Sequence, residues 1–377
     1  MENNMKKIAI LTLNGYHNYG NRLQNYATQE VLKSLGFDVE TVPVDRSNDS
    51  DKKLSKRLAR ISSISELKTK IRMRINNYLN KDIIRERKDK FIRFSKEHIN
   101  ETEYTISNND IPIDLSKRYD YFVVGSDQVW NPNNLHGTSF YFLTFAENRK
   151  RISYAASFAI SEIPDEYIER YKKWLSEMHR ISVREEAGAK IIKDLTDRDA
   201  IVLVDPTLML TKEKWISISK EATNKPKNKY LLTYFLGDIS NKSKRRIRAI
   251  AKNNQLQIIN LVDLKDEETY KTGPSDFIDY VNSASVVCTD SFHGVIFSIL
   301  METPFFVFER IDNSPSIYSR IDTLLTTFKL ESRKSSNITN NGQFLEVNYS
   351  HVAPILEVER KKALDYLKEA LHVKEEI

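Results

Sequence analysis

The residues best suited to chemistry gather where an apolar run gives way to small polar side chains. Val286-Val287-Cys288-Thr289 leads into Asp290-Ser291-Phe292-His293-Gly294, and a helical run follows from Val295. A β-branched run feeding a helix through such a junction is the carboxyl end of a strand in an open α/β sheet, the usual place for a ligand. His293 at that junction can take or give a proton near neutral pH. The position equally suits a histidine that only bonds within its own turn. Asp290, Ser291, Phe292 and Gly294 share the junction and are candidates for substrate contact.

Similar junctions occur earlier. Asn18, Gly20 and Asn21 follow the apolar run 8–13, Ser126 and Asp127 follow 119–124, Ser157 lies near the end of 152–158, and Arg184 closes 180–184. A guanidinium offers a bidentate fork to phosphate or carboxylate; Arg184 also fits an ion pair between domains. Asp127 can orient a hydroxyl or cap its own turn. The helices starting after Gly20 and Gly294 present free backbone N–H groups, which suit an anion.

These junctions need a framework of parallel strands. Run 8–13 reads as a strand, 22–35 as a helix with a stripe of Leu23, Tyr26, Ala27, Val31 and Leu35 closed by Gly36, and 39–44 as a second strand. Strands at 119–124, 152–158, 180–184 and 201–204 alternate with helices, a doubly wound pattern. The segment 212–229 reads as helix then linker. A second series follows, with strands near 230–236, 257–262, 286–289 and 304–308. The expected architecture is α/β, with two Rossmann-like domains facing a cleft in the glycosyltransferase-B manner. The expected bounds are 1–222 and 223–350, and a final helix in 351–377 packs back on the first domain. The polar strand ends converge on the cleft.

Residues 47–103 differ. Basic residues outnumber acidic ones there by about seven, which accounts for the net charge of +6. Leu54, Leu58, Ile61, Leu67, Ile71, Ile75 and Leu79 recur at helical spacing. The reading is a helical insertion with a basic outer face, either simply solvated or leaning on an anionic membrane or a lipid-linked substrate. Its stripe is aliphatic, and no nucleic-acid-reading motif is present, so nucleic acid is not an expected partner.

At 377 residues the chain suits two domains. The lone Cys288 lies in an apolar run, which argues against a disulfide framework and for a buried core thiol. No zinc spacing, P-loop, dinucleotide fingerprint or G-x-S-x-G elbow occurs. No metal is expected, and no apolar run is long enough for a signal peptide or membrane span. The expected location is cytoplasmic, with peripheral contact at the inner membrane face as an option.

In order, the chain contains Asn18-Tyr19-Gly20-Asn21-Arg22-Leu23-Gln24, Tyr121-Phe122-Val123-Val124-Gly125-Ser126-Asp127-Gln128-Val129-Trp130-Asn131-Pro132, Tyr154-Ala155-Ala156-Ser157-Phe158, Ile181-Ser182-Val183-Arg184-Glu185, Val204-Asp205-Pro206-Thr207 and Thr289-Asp290-Ser291-Phe292-His293-Gly294. This ordered set resembles the polysaccharide pyruvyl transferase family over about residues 8–330. The resemblance implies a glycosyltransferase-B-like fold. It also implies transfer of a pyruvyl group from phosphoenolpyruvate to a sugar of a cell-surface polysaccharide or its lipid-linked precursor. His293 would be the general acid or base, and phosphoenolpyruvate a co-substrate with no further cofactor. The pattern departs at Ser291, where the family carries Arg, and at Ala159, where Gly is usual. Arg320 or Arg310 from another loop is a candidate to replace that cation, and either equally reads as plain surface charge. Two other readings remain open: a related transferase using another donor such as a nucleotide sugar, and a non-catalytic glycan or membrane assembly partner.

Overall fold

The computed structural model describes residues 5–45, 79–107, 110–132, 138–311, 318–337 and 345–373. Two parallel four-stranded sheets organise it. The first has the order β2-β1-β3-β4, from β1 Lys7–Leu11, β2 Asp38–Thr41, β3 Tyr121–Val124 and β4 Arg151–Ser153. Isolated parallel bridges from Ile152 to Arg180 and from Ala156 to Val183 extend it towards the pair β5 Ser182–Val183 and β6 Ile201–Val202. The second has the order β10-β9-β7-β8, from β7 Tyr230–Tyr234, β8 Gln257–Asn260, β9 Val286–Thr289 and β10 Phe305–Val307. Strands β3, β7 and β9 are buried at every position, as parallel strands covered on both faces require.

The main helices are α1 Tyr19–Ser34, α2 Lys81–His98, α3 Ile168–Ser176, α4 Glu186–Thr196, α5 Asn241–Asn253, α6 Pro274–Ser283, α7 Phe292–Met301, α8 Tyr318–Thr327 and α9 Val352–Ala370. Helix α7 is buried from end to end, which its unbroken apolar sequence dictates. Its start is set by Ser291, whose Oγ accepts from Gly294 N at 3.3 Å. A Cβ at Gly294 would lie 2.5 Å from Thr289 Oγ1, so glycine lets the helix begin hard against the strand.

The two sheets share a continuous apolar cluster that runs from Ile8 and Ile10 through Trp215 to Leu232 and Val287. The C-terminal helix α9 closes the chain against the first half. Tyr366 Oη donates to Ser153 O at 2.8 Å, and Arg360 donates to Leu208 O and Leu210 O at 2.7 and 2.8 Å. Of the basic stretch 47–103, residues 47–78 lie outside the described residues, including the expected stripe from Leu54 to Ile75. The described part is α2, and it differs from the expected solvated basic face in one respect: Arg87 is buried. Cys288 is buried in β9, and burial pushes its thiol pKa well up. No described helix is long and apolar enough to cross a membrane.

Candidate active site

The carboxyl ends of β9, β3, β5 and β6 and the start of α1 meet around one imidazole. His293 stands in the first turn of α7, with Nε2 3.6 Å from Asp205 Oδ2, an ion-pair separation rather than a hydrogen bond. On its other side lies Gly20 of α1, where a Cβ would sit 2.0 Å from His293 Nδ1. Only a glycine lets the first half approach the ring so closely.

Asp205 is the hub. It follows β6, and the fixed φ of Pro206 begins a short turn there. Its Oδ1 accepts from Thr207 N and Oγ1 at 3.0 and 2.7 Å. Its Oδ2 accepts from Arg184 Nη1 at 2.6 Å and from Ser126 Oγ at 2.7 Å. Burial pushes this carboxyl up, but the facing His293, the Arg184 charge and the Thr207 bond outweigh it, and the net effect holds Asp205 well below the ordinary carboxylate range. In the sequence Asp205 stands within a motif but carries no mark of its own as a site residue beyond the Asp-Pro stop after a strand.

Arg184 Nη1 also donates to Ser126 Oγ at 3.1 Å, and Nη2 lies 3.5 Å from Asp127 Oδ1. Asp127 has φ of 84°, in the left-handed region, and its Oδ1 accepts from Gln128 N at 2.9 Å. Burial pushes its carboxyl up; Arg184, His293 and Arg320 together pull it further down, and it lies below its usual range.

Two guanidiniums flank the Phe292 ring: Arg184 at 4.2 Å from its centroid and Arg320, carried by α8, at 5.8 Å. With its amide oxygen turned to face Arg320, Gln128 accepts from Nη1 and Nη2 at 3.3 and 3.0 Å. Burial, and then repulsion from Arg184, bring the Arg320 pKa down to about 10. Among the described residues, the buried Nε and Nη2 of Arg184, Nε of Arg320 and Nε2 of His293 have no hydrogen-bond partner. Unsatisfied buried donors on two neighbouring cations are costly without an anion to receive them. Beside them is a pocket of about 150 Å³ lined by Arg184, Glu186, Asp205, Phe292, Thr323 and Leu324.

The other expected residues have structural partners. Asn18 caps α1, accepting from Gly20 N at 2.9 Å and Tyr234 Oη at 3.3 Å, and so links the halves. Asn21 Nδ2 donates to Leu13 O at 3.4 Å. Ser157 Oγ donates to Glu185 Oε1 at 2.9 Å. Asp290 accepts from Leu236 N, Gly237 N and Arg310 Nε at 2.7, 2.9 and 2.6 Å. That pairing ties Arg310 down and leaves Arg320 as the second cation at Phe292. Ser291 caps α7. Ala159 has φ of 51°, in the left-handed region that favours glycine.

With this geometry in view, the comparison with protein families is decisive: the sequence model for polysaccharide pyruvyl transferases matches residues 18–313. The chain belongs to the polysaccharide pyruvyl transferase family. As a member of that family it is a transferase. No curated protein matches the sequence. Among solved structures, a glycosyltransferase from Rickettsia africae ESF-5 is similar at a TM-score of 0.50 and 11% identity, covering 98% of this chain and 100% of that one. LpCGTa in complex with UDP is similar at 0.48 and 10% identity, covering 98% and 100%. MurG from Acinetobacter baumannii is similar at 0.41 and 10% identity, covering 97% and 99%. The fold of this pyruvyl transferase family member is α/β, two Rossmann-like halves in the glycosyltransferase-B arrangement.

Proposed function

We infer that the enzyme moves a pyruvyl group from phosphoenolpyruvate to a sugar hydroxyl of a cell-surface polysaccharide or its lipid-linked precursor. The observation that carries this reading is the His293–Asp205 pair set beside two buried guanidiniums with unspent N–H groups. Phosphoenolpyruvate has one phosphate and one carboxylate, and Arg184 and Arg320 offer one cation for each. A sugar hydroxyl adds at C2 of the enol while C3 gains a proton. Closing a cyclic ketal, a second hydroxyl then takes the place of the phosphate at C2. Of the two hydroxyl protons, one ends on C3 and the other leaves with phosphate. His293 carries the proton between these groups, and the Asp205 carboxylate stabilises the imidazolium that forms. Phe292 holds the guanidinium planes apart and keeps water from the cations.

A lipid-linked acceptor would bring the protein to the inner face of an anionic membrane, which liposome flotation at low and high salt reads.

The test combines thermal shift with phosphate release from phosphoenolpyruvate in the presence of candidate glycan acceptors. Phosphoenolpyruvate is expected to raise the Tm of the wild type but not of Arg184→Ala or Arg320→Met. Phosphate release is expected to fall by about 100-fold or more in His293→Ala. Without ligand, Arg320→Met is expected to be neutral or about 1 kcal/mol more stable, because it removes a buried cation that faces Arg184. Stabilisation by a nucleoside diphosphate and none by phosphoenolpyruvate would assign a different donor to the cleft.

A further inference from the structure

Arg87 is a buried cation that lies outside the cluster around Asp205. It belongs to α2, which precedes β3 in the chain yet packs against the second half. Its side chain is 3% exposed, and among the described residues no carboxylate lies within ion-pair distance of it. Backbone carbonyls and one phenol take the place of a counter-ion. Nη1 donates to Tyr270 O at 2.6 Å, Tyr19 Oη at 2.8 Å, Thr272 O at 3.1 Å and Leu261 O at 3.4 Å, while Nη2 reaches His17 O at 3.4 Å. The guanidinium also lies over the rings of Tyr19, Tyr270 and Phe91 at 4.7, 5.1 and 5.2 Å. Those partners come from both halves: His17 and Tyr19 from the first, Leu261, Tyr270 and Thr272 from the second.

Tyr19 is the first residue of α1. Its ring stacks between Phe91 and Phe277, and its hydroxyl donates to Thr272 O at 3.2 Å. The next residue is Gly20, the backbone that backs the His293 ring. Arg87 is therefore bonded to the residue next to the one that walls the back of the imidazole. Nearby pairs hold α2 in place: Lys90 with Asp276 at 2.8 Å and Lys271 with Glu86 at 3.0 Å.

We propose that Arg87 is a positioning residue, a latch between the halves that holds the start of α1 against His293 and fixes the distance from His293 to Asp205. The catalytic part of this proposal rests on the reading of His293 as the proton-transfer group; the latch itself does not. An uncompensated buried charge is expensive, so a fold that keeps one gains from the carbonyls it gathers. The planar fork reaches several carbonyls at once, which lysine does only in part.

The test uses the full-length protein and two readouts. The first is the rate at which diethyl pyrocarbonate modifies His293, followed by mass spectrometry, with His351 as internal reference. His293 is 4% exposed. Its modification is expected to be about fivefold faster in Arg87→Met, and to return towards the wild-type rate in Arg87→Lys. Tyr19→Phe, which keeps the ring stack and removes only the hydroxyl, is expected to move the rate in the same direction and serves if Arg87→Met does not fold. The second readout is turnover of phosphoenolpyruvate: kcat is expected to fall about 10- to 100-fold in Arg87→Met with KM for phosphoenolpyruvate within about threefold. Unchanged His293 modification in folded Arg87→Met or in Tyr19→Phe would overturn the latch. A wild type that neither binds nor turns over phosphoenolpyruvate would remove the proposed reaction, and the modification rates would still decide the latch.

Discussion

At the scale of residues, Asp205 carries the most weight because four charged or polar residues, Ser126, Arg184, Thr207 and His293, converge on it. Its carboxyl lies below the ordinary range in the fold, so its charge stabilises the native state above the unfolded-state pKa, and that contribution fades as pH falls towards the folded value. Asp205→Asn removes the negative charge that faces both Arg184 and His293 and is expected to cost about 3 kcal/mol at pH 7. The penalty is expected to be about 1 kcal/mol smaller at pH 3, where the unfolded aspartate is largely protonated. Urea denaturation at the two pH values measures this, and an equal penalty at both would contradict the depressed carboxyl. The sequence marked His293, Arg184 and Asp127 individually by their places at strand ends. It did not mark Asp205 as their common partner, because residues 184, 205 and 293 meet only through the stacking of strands from two sheets. Arg87 was hidden for a related reason: a basic residue among many on an exposed-looking helix carries no local sign that carbonyls of residues 261–272 will surround it.

At the scale of elements, the contact between the first turn of α1 and the first turn of α7 decides how the halves meet. Glycine at 20 leaves no room for a side chain. Gly20→Ala is expected to reduce kcat about 10- to 100-fold, since the imidazole must rotate or the helices part. It is also expected to destabilise by about 1 to 3 kcal/mol. Gly15→Ala, where an added Cβ meets nothing within 4 Å, is the control and is expected to leave turnover unchanged. Equal turnover in Gly20→Ala and wild type would show that the ring is not confined there. The elements themselves were largely legible. Apolar runs at 8–13, 119–124, 230–236 and 286–289 coincide with strands, since buried parallel strands read as continuous hydrophobic runs. Strands β5 and β6 are only two residues long, shorter than the runs that suggested them, and Arg184 and Asp205 lie just beyond their carboxyl ends.

At the scale of the whole molecule, α9 follows the second half in sequence and is bonded to the first. Tyr366, Arg360 and the Arg180–Glu369 pair at 2.8 Å make it a tie between them. Its buried face includes Ala363, Leu367 and Ala370. Ending the chain before Val352 is expected to replace a single cooperative thermal transition by two, as each sheet then melts on its own. Calorimetry reads this directly, and one sharp transition in the truncated protein would show that the shared core alone couples the halves. The two-domain plan was visible in the alternation of strands and helices. Their closeness was not, because burial of Arg184, Arg320 and Arg87 at the seam depends on partners distant in sequence.

Cys288 gives the protein an experimental property of its own. It is the single thiol of the chain, fully buried in β9 four residues before Phe292, with a raised pKa that leaves little thiolate to react. The folded protein is thus expected to be unreactive towards maleimides. Cysteines introduced at one exposed site on each half would be the points of attachment for a pair of fluorophores or spin labels, and distances across the cleft could be followed without first removing the natural thiol. Reaction at Cys288 itself would then report that the second sheet had come apart.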